Sequence, residues 1–450
     1  MTLQDLLLTP FYLIIIFAVL LILRSKLVKD PIIRKYFFPA LVSKIFGALC
    51  LGFVYQFYYK GGDTLIYFMG AGHLYQAMYE APWEAIQLFL SSGNEIIPEA
   101  YEYTSVIPFY EDPPTYFIVK LAGICSLFGF HTYAVTAVFF ALIAFSGGWA
   151  MFLTLYRLYP HLHKQFAISI FFIPSIFFWG SGILKDTITL SALGWIFYAF
   201  VNIFIRKVTI KRSFIILGLA TYVVLSVKIY ILLCFIPAIC IWLFSIFSKQ
   251  IKSSATRAFL RPVLFLGSVI LGLMAAEQIS SENDKYSFDK IIETSQNTSS
   301  YLLSISAEVN GSGYDLGPMD GSIKGFLEKA PAAIWVTMFR PYVWEATKLI
   351  IQLSAFESLF FLLLTLTTIL KVGIFKVFGV IKNNDYLIFS LVFSITFAFA
   401  IGVSTSNFGT LVRYKIPFLP FFISSLFLLR SLAPSKKKSR RTVALSALSH

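Results

Sequence analysis

Eleven apolar stretches of 15 to 25 residues, almost free of charge, constrain this chain more than any other feature. A bilayer core about 30 Å thick is crossed by a helix of about 20 apolar residues, so each stretch predicts a transmembrane helix. The chain is 58% hydrophobic and 13% charged, whereas soluble chains carry about 25% charge, which excludes a water-soluble globular enzyme. The predicted fold is an all-α integral membrane protein with about 11 transmembrane helices. The stretches are residues 7–23, 37–58, 132–156, 165–182, 187–205, 213–227, 229–247, 259–278, 349–370, 386–403 and 414–430.

The basic residues between these stretches predict which side of the membrane each connection faces. With the N-terminus outside, 24 of the 37 lysines and arginines fall on the cytoplasmic side, as the positive-inside rule requires. The net charge of +14 is thereby explained by topology, and nucleic acid is excluded as a partner. The sequence therefore predicts an external N-terminus and a cytoplasmic C-terminus.

The lengths of the connections predict the domain organisation. Two external loops are long, and loops of this length in a compact protein are usually functional. The cytoplasmic connections are short and basic. We expect one polytopic membrane domain at residues 1–430, external loops at 59–131 and 279–348, and a basic, disordered cytoplasmic tail at 431–450.

One apolar run in the first external loop is too short to be a span. It extends from Tyr116 to Phe128, contains Lys120 and follows Pro113-Pro114. Because the run is short, carries a charge and follows two helix-resisting prolines, it predicts a helix lying along the membrane interface. We expect interfacial helices in both external loops.

Acidic and aromatic residues in the first loop are candidates for chemistry. Asp63 follows Gly61-Gly62 at the start of a helical pattern, which favours two compatible roles, an N-cap residue and a general base at the edge of the membrane. Tyr110, Glu111 and Asp112 form either part of an aromatic belt or a sugar-binding surface, in which a tyrosine ring stacks on the sugar and carboxylates accept hydroxyl protons.

Several charged residues stand at external ends of spans, where the topology rule does not require them. Lys185-Asp186 follow the turn Gly180-Ser181-Gly182 at a predicted helix start. Such residues either extend to the interface and cap helices or bind an anion such as a lipid phosphate. The other candidates are Lys228 in a one-residue turn, Arg340 and Glu345 before the ninth span, and Arg413 and Lys415 before the last span.

Two charged residues lie inside predicted spans. Lys44 and Glu357 stand at similar depths, which predicts a structural ion pair between two packed helices. The histidines do not form a metal-binding pattern with thiols or acids. No cofactor is indicated, and a divalent metal is left open.

The order of features in the first 160 residues resembles the GT-C superfamily of polytopic glycosyltransferases. The resemblance is carried by Asp63 at the start of the first external loop and by Asp112-Pro113-Pro114-Thr115-Tyr116 before the interfacial helix. It implies transfer of a hexose or pentose from a polyprenyl-phosphate or polyprenyl-diphosphate donor to a glycan, lipid or protein acceptor, at the external face of a bacterial inner membrane. It implies Asp63 as the base and Glu111 or Asp112 as a second acidic position.

Two other functions are left open by the residues. A polymerase of lipid-linked polysaccharide repeat units would use the same external cations, with an arginine-centred site and a dispensable Asp63. A transporter of lipid-linked oligosaccharides or ions would need polar residues along a path through the membrane.

Overall fold

The computed structural model describes residues 2–248, 267, 295–301, 312–317 and 322–433. These residues form helices and connecting turns, with no β-strand among them, which confirms the predicted all-α class. The predicted span at 259–278 and most of the predicted tail at 431–450 lie outside the described residues.

The chain begins with the helices α1 (Leu3–Leu27) and α2 (Pro31–Phe53). The helices of the first loop region are α3 (Asp63–Glu80), α4 (Pro82–Leu90), α5 (Tyr101–Thr104) and α6 (Pro113–Phe128). The chain continues with α7 (Tyr133–Leu158), α8 (His163–Ala167), α9 (Pro174–Trp179), α10 (Lys185–Phe200) and α11 (Ile210–Ser248). The later helices are α12 (Ile323–Glu328), α13 (Ala330–Phe339), α14 (Leu349–Val372), α15 (Ile374–Lys382), α16 (Asp385–Ser404), α17 (Phe408–Tyr414) and α18 (Leu419–Leu432).

Seven helices in the described part of the chain are long and apolar enough to cross a membrane, or eight if the bent pair α17 and α18 forms one span. An integral membrane protein is therefore supported, but the predicted count of about 11 spans is not confirmed. The seven are Leu3–Lys26, Pro31–Tyr59, Tyr133–Leu158, Lys185–Arg206, Ile210–Ser248, Leu349–Val372 and Asp385–Ser404.

The difference in count has local causes. The predicted span at 165–182 is broken, because Pro174 follows Ile173 in an extended conformation (φ −76°, ψ 125°) and proline disfavours a helical residue before it. The predicted spans at 213–227 and 229–247 correspond to two helical segments of α11 that join at a kink, where Lys228 has non-helical dihedral angles (φ −148°, ψ 75°). Because α11 is one continuous element, it is counted as one candidate span. The predicted span at 414–430 is bent by 67° between α17 and α18.

The described chain clusters into two compact units. The N-terminal unit contains residues 1–234 and 407–420, and the C-terminal unit contains residues 235–406 and 421–450. In the N-terminal unit α7 packs against α2 and α10, and α3 packs against α6. The segment 407–420 returns to this unit late in the chain, so it places α17 beside elements from the first 234 residues.

The predicted helix after Pro113-Pro114 is confirmed as α6, and the chain before it packs onto its face. The Tyr116 hydroxyl donates to the Leu88 carbonyl at 2.8 Å, and the Lys120 ammonium donates to the Ser91 carbonyl at 2.5 Å. These two hydrogen bonds hold the end of α4 and the residue after it against α6.

The ion pair predicted between Lys44 and Glu357 stays a prediction, since the two residues belong to different units. Lys44 is buried within the N-terminal unit. Its ammonium donates to the carbonyls of Ile176 at 3.0 Å and Gly180 at 3.1 Å. These carbonyls lie at the end of the short helix α9, where no following turn supplies backbone donors. The break in the chain therefore provides Lys44 with hydrogen-bond partners from its own unit.

Glycines bring the backbones of α7 and α10 into direct contact. A Cβ atom at Gly147 would lie 2.1 Å from the Ser191 carbonyl oxygen, and one at Gly194 would lie 2.2 Å from the Gly147 oxygen. Small residues allow this close approach between membrane helices. The contact fixes the position of α10, which carries Asp186 in its first turn.

We expect Gly147→Leu to lower the free energy of unfolding by at least about 1–3 kcal/mol, because overpacking forces the two backbones apart. Gly218→Leu is the matched control, since a Cβ atom there would meet no atom within 4 Å. Thermal unfolding of the purified chain in one detergent measures both variants. Equal melting temperatures for the two variants would contradict the close contact.

Candidate active site in the N-terminal unit

Four charged side chains from distant parts of the sequence form one network. Arg413 donates from Nη1 to Asp63 Oδ2 at 2.5 Å and from Nε to Asp186 Oδ2 at 2.5 Å. Lys228 donates from Nζ to Asp186 Oδ1. Asp186 therefore accepts from two cations, and Arg413 bridges two carboxylates. The network contains two negative and two positive charges, so its formal charge is zero.

A tight turn places Asp63 at the start of α3. Lys60 is left-handed (φ 56°) and Gly62 has φ 109°, a conformation that glycine adopts without strain. A Cβ atom at Gly62 would also lie 2.7 Å from the Tyr55 ring. Position 62 thus requires glycine, both for its dihedral angles and for its close approach to Tyr55.

The predicted turn and helix start around Lys185-Asp186 are confirmed. Residues 180–184 form turns and bends, and Leu184 is extended (φ −141°, ψ 153°) immediately before α10 begins at Lys185. The Thr187 hydroxyl donates to the Gly182 carbonyl at 2.7 Å and ties the turn to the first helical turn. Asp186 is thereby directed into the protein, where its side chain is 0% exposed.

The two cations of the network are positioned by a kink in α11 and by the short helix α17. Lys228 is the residue with non-helical dihedral angles inside α11, and its ammonium lies 4.4 Å from the centre of the Tyr414 ring, within the range of a cation–π contact. Arg413 stands on the short helix α17. The Asn407 side chain caps this helix by accepting from the amides of Gly409 at 2.7 Å and Thr410 at 3.2 Å.

A second ion pair adjoins the network through the neighbouring residue of α10. Lys185 donates to Asp112 Oδ2 at 3.1 Å, and the Thr115 hydroxyl donates to the same carboxylate. Burial acts to raise the pKa of Asp112, but the Thr115 hydrogen bond and the Lys185 charge outweigh it and hold this pKa below its usual value. Asp112 is therefore set to remain an anion.

Exposure divides the two clusters into supporting and accessible groups. Asp186 and Lys228 are buried and Arg413 is nearly so, whereas the side chains of Asp63 and Asp112 are 45% and 44% exposed. Each of these two carboxylates is paired with a less exposed cation, Asp63 with Arg413 and Asp112 with Lys185. Such a group can accept a proton from a bound hydroxyl while its orientation stays fixed.

The N-cap interpretation of Asp63 was wrong. Gly62 occupies the N-cap position of α3, no side chain caps the helix, and the Asp63 carboxylate bonds to Arg413 instead. A charge-assisted bond to a guanidinium is about twice as strong as a neutral hydrogen bond, which explains the choice of partner.

Three other predicted site residues, Tyr110, Glu111 and Lys415, have different surroundings. Tyr110 is buried and donates to the Glu95 carbonyl at 3.0 Å, with its ring packed edge-on against Tyr116, so neither its hydroxyl nor its ring is open to stack on a sugar. Glu111 is exposed and forms no ion pair in the described chain, and Lys415 is fully buried.

Arg340 and Glu345 belong to the C-terminal unit, where they pair with each other. Arg340 Nε donates to Glu345 Oε2 at 3.0 Å and Nη2 donates to Oε1, a two-bond geometry that arginine favours. Glu345 also accepts from the Tyr342 amide at 2.8 Å. This pair is a local structural element of that unit.

Two tyrosines beside the network were missed by the sequence analysis. Tyr55 and Tyr67 are buried, and the charges of Asp63, Asp186 and Arg413 act on both. Burial, reinforced by the Asp63 charge, raises the pKa of Tyr67. Tyr67 follows Asp63 by four residues on one helix face, a spacing that could have indicated it.

The described residues contain no group of three or more histidine, cysteine, aspartate or glutamate side chains arranged to hold a metal ion. Comparisons with protein family models, curated proteins and solved structures found no match to this chain.

Proposed function

We propose that this chain is a glycosyltransferase that moves a sugar from a polyprenyl-phosphate or polyprenyl-diphosphate donor to an acceptor hydroxyl, with Asp63 as the general base. The observation that carries the proposal is the accessible Asp63 carboxylate, held by Arg413 on a buried ion-pair network. A general base needs both access to the acceptor and a fixed orientation. The resemblance of the first 160 residues to GT-C enzymes adds the donor class.

The proposed reaction is an inverting displacement. Asp63 takes the proton of the acceptor hydroxyl, and the acceptor oxygen forms a bond to the anomeric carbon of the sugar. The bond between that carbon and the lipid phosphate oxygen breaks, and the phosphate leaves with the bonding electron pair. A positioned cation stabilises the charge that develops on it.

Lys185 is our candidate for the contact with the leaving phosphate. Its ion pair with Asp112 is less buried than the pair between Lys228 and Asp186, so a donor can approach it at a lower cost of desolvation. Lys228 is enclosed against Asp186 and Tyr414, which suits a supporting role.

We place the reaction at the external face of a bacterial inner membrane, with the N-terminus outside and the C-terminus in the cytoplasm. The basic residues of the predicted cytoplasmic connections support this orientation. The bilayer supplies the lipid-linked donor, and the acceptor is a glycan, lipid or protein with a free hydroxyl.

The test is sugar transfer by membranes containing the full chain. A panel of radiolabelled polyprenyl-phosphate hexoses and pentoses is supplied, and both labelled glycan and released polyprenyl phosphate are measured. We expect Asp63→Asn to lower transfer at least about 100-fold, because the amide cannot take the proton.

Asp30→Asn is the matched control for this variant. Asp30 accepts from the Ile32 amide at 2.8 Å and from the Tyr156 hydroxyl at 2.7 Å, outside the network, and asparagine preserves the cap. Full transfer by Asp63→Asn at normal expression would refute the proposed base.

A polymerase of lipid-linked repeat units is the second candidate, favoured by the central position of Arg413 between two carboxylates. The two functions predict different results in cells that display the glycan product. Loss of long glycan chains with Arg413→Ala, but not with Asp63→Asn, would support the polymerase.

A further inference from the structure

The helix α15 has an apolar face that the described residues leave largely exposed. None of its side chains is buried, and Ile374, Phe375 and Phe378 are 61%, 91% and 74% exposed. Isolated helices shorter than about 12–15 residues are marginal in water. A helix of 9 residues therefore needs a surface that packs against this face.

The apolar residues of α15 follow the period of an amphipathic helix. Ile374, Val377, Phe378 and Ile381 recur at positions i, i+3, i+4 and i+7, which places them on one side. Phe375 lies at the edge of this side, next to Phe378, and Lys376 lies on the opposite side. This division is typical of helices that lie in the plane of a membrane interface.

Three lysines in or next to α15 have no acidic partner among the described residues. Lys371, Lys376 and Lys382 are exposed, and none pairs with a carboxylate in the described chain. The nearest acid in sequence, Asp385, accepts a hydrogen bond from Ser245 at 2.6 Å. The helix therefore presents excess positive charge that complements anionic lipid headgroups.

The neighbouring elements place α15 at the boundary of the hydrocarbon. α14 ends at Val372, and Gly373, with φ 92°, redirects the chain so that α15 begins at the next residue. α16 starts at Asp385, three residues after α15 ends. α14 and α16 are long enough to cross the membrane. Because α15 joins the end of α14 to the start of α16, it is kept near the membrane surface.

We infer that α15 binds the anionic lipid of one leaflet. Its apolar face enters the boundary between headgroups and acyl chains, and Lys371, Lys376 and Lys382 contact the lipid phosphates. This site lies in the C-terminal unit and does not depend on the proposed transferase activity.

The test is hydrogen–deuterium exchange of the full chain in nanodiscs. One set contains only phosphatidylcholine, and the other contains about one third phosphatidylglycerol to give a negative surface. We expect the amides of 374–382 to exchange about fivefold more slowly in the anionic nanodiscs, because lipid binding closes local opening of the helix. About 1 M salt, where the Debye length is about 3 Å, should remove the difference.

Two sets of variants test separately how the lysine charges and the apolar face contribute to lipid binding. The triple variant Lys371→Gln, Lys376→Gln, Lys382→Gln should exchange equally in both lipids. The double variant Phe375→Ser, Phe378→Ser should exchange faster in both. Lys324→Gln is the control, because Lys324 is an exposed lysine on another short helix and should leave the lipid dependence unchanged.

Two results would overturn the inference. Equal exchange of 374–382 in both lipids for the unmodified chain would mean that anionic lipid is not the occupant. Protection that rises with protein concentration in lipid-free detergent would mean that a second copy of the chain covers the face.

Discussion

Asp186→Asn should lower the free energy of unfolding by about 3–5 kcal/mol, the cost of leaving a buried charge without its partner. Asp186 is fully buried and accepts from both Lys228 and Arg413. Asparagine keeps the shape of the side chain but removes its charge, which leaves one excess positive charge in the network. Burying an uncompensated ion is far more costly than burying a neutral amide.

The double variant Asp186→Asn, Lys228→Met is the decisive control. It restores formal neutrality, because Arg413 keeps its pair with Asp63. We expect it to recover at least half of the lost stability, as replacement of a whole buried pair by neutral groups is often tolerated. Stability is measured by denaturant titration of the purified chain in mixed micelles. An unchanged midpoint for Asp186→Asn would show that the network is not a buried ion-pair cluster.

Arg413→Gln should abolish detectable sugar transfer and lower the free energy of unfolding by about 3–5 kcal/mol. The variant removes the partner of Asp63 and one of the two partners of Asp186. Asp63 then loses the contact that orients it, and buried Asp186 retains only Lys228. Both stability and transfer should therefore fall.

Arg413→Lys separates orientation from charge. A lysine ammonium is a point charge on a flexible stem and does not reproduce the rigid fork that serves two carboxylates. We expect transfer to fall about 100-fold, the scale of losing one preorganised interaction, with a smaller loss of stability than in Arg413→Gln. Arg206→Lys is the control, because Arg206 donates only to a neutral amide, Asn202 Oδ1, at 3.2 Å. Normal transfer by Arg413→Lys would show that the two-carboxylate geometry has no role in the reaction.

The sequence predicted the features that depend on neighbouring residues. The length and composition of apolar runs predicted an all-α membrane protein, because the bilayer selects for these properties directly. The apolar run after Pro113-Pro114 predicted the helix α6, and Gly180-Ser181-Gly182 predicted the turn before α10; both were confirmed. The predicted count of about 11 spans is not confirmed, because Pro174 interrupts one apolar run and two other runs join at a kink in α11.

Charged residues at the edges of apolar runs were also visible in the sequence, because the topology rule does not account for them there. Asp186, Lys228 and Arg413 were chosen for this reason, and Asp63 was chosen as an acidic residue of the first external loop. The four form one network. Their pairing was not predictable. The sequence indicated cations available to a phosphate, whereas Lys185, Lys228 and Arg413 are each bonded to a carboxylate of the protein.

Only the tertiary structure decided which carboxylate meets which cation. Arg413 and Asp63 are 350 positions apart, so no local pattern links them. Their meeting depends on how the helices pack, which is set by contacts such as Gly147 on Ser191 and by the return of segment 407–420 to the N-terminal unit. Composition determines that a chain enters the membrane, while the bonds of each buried charge depend on distances that exist only after its helices have packed.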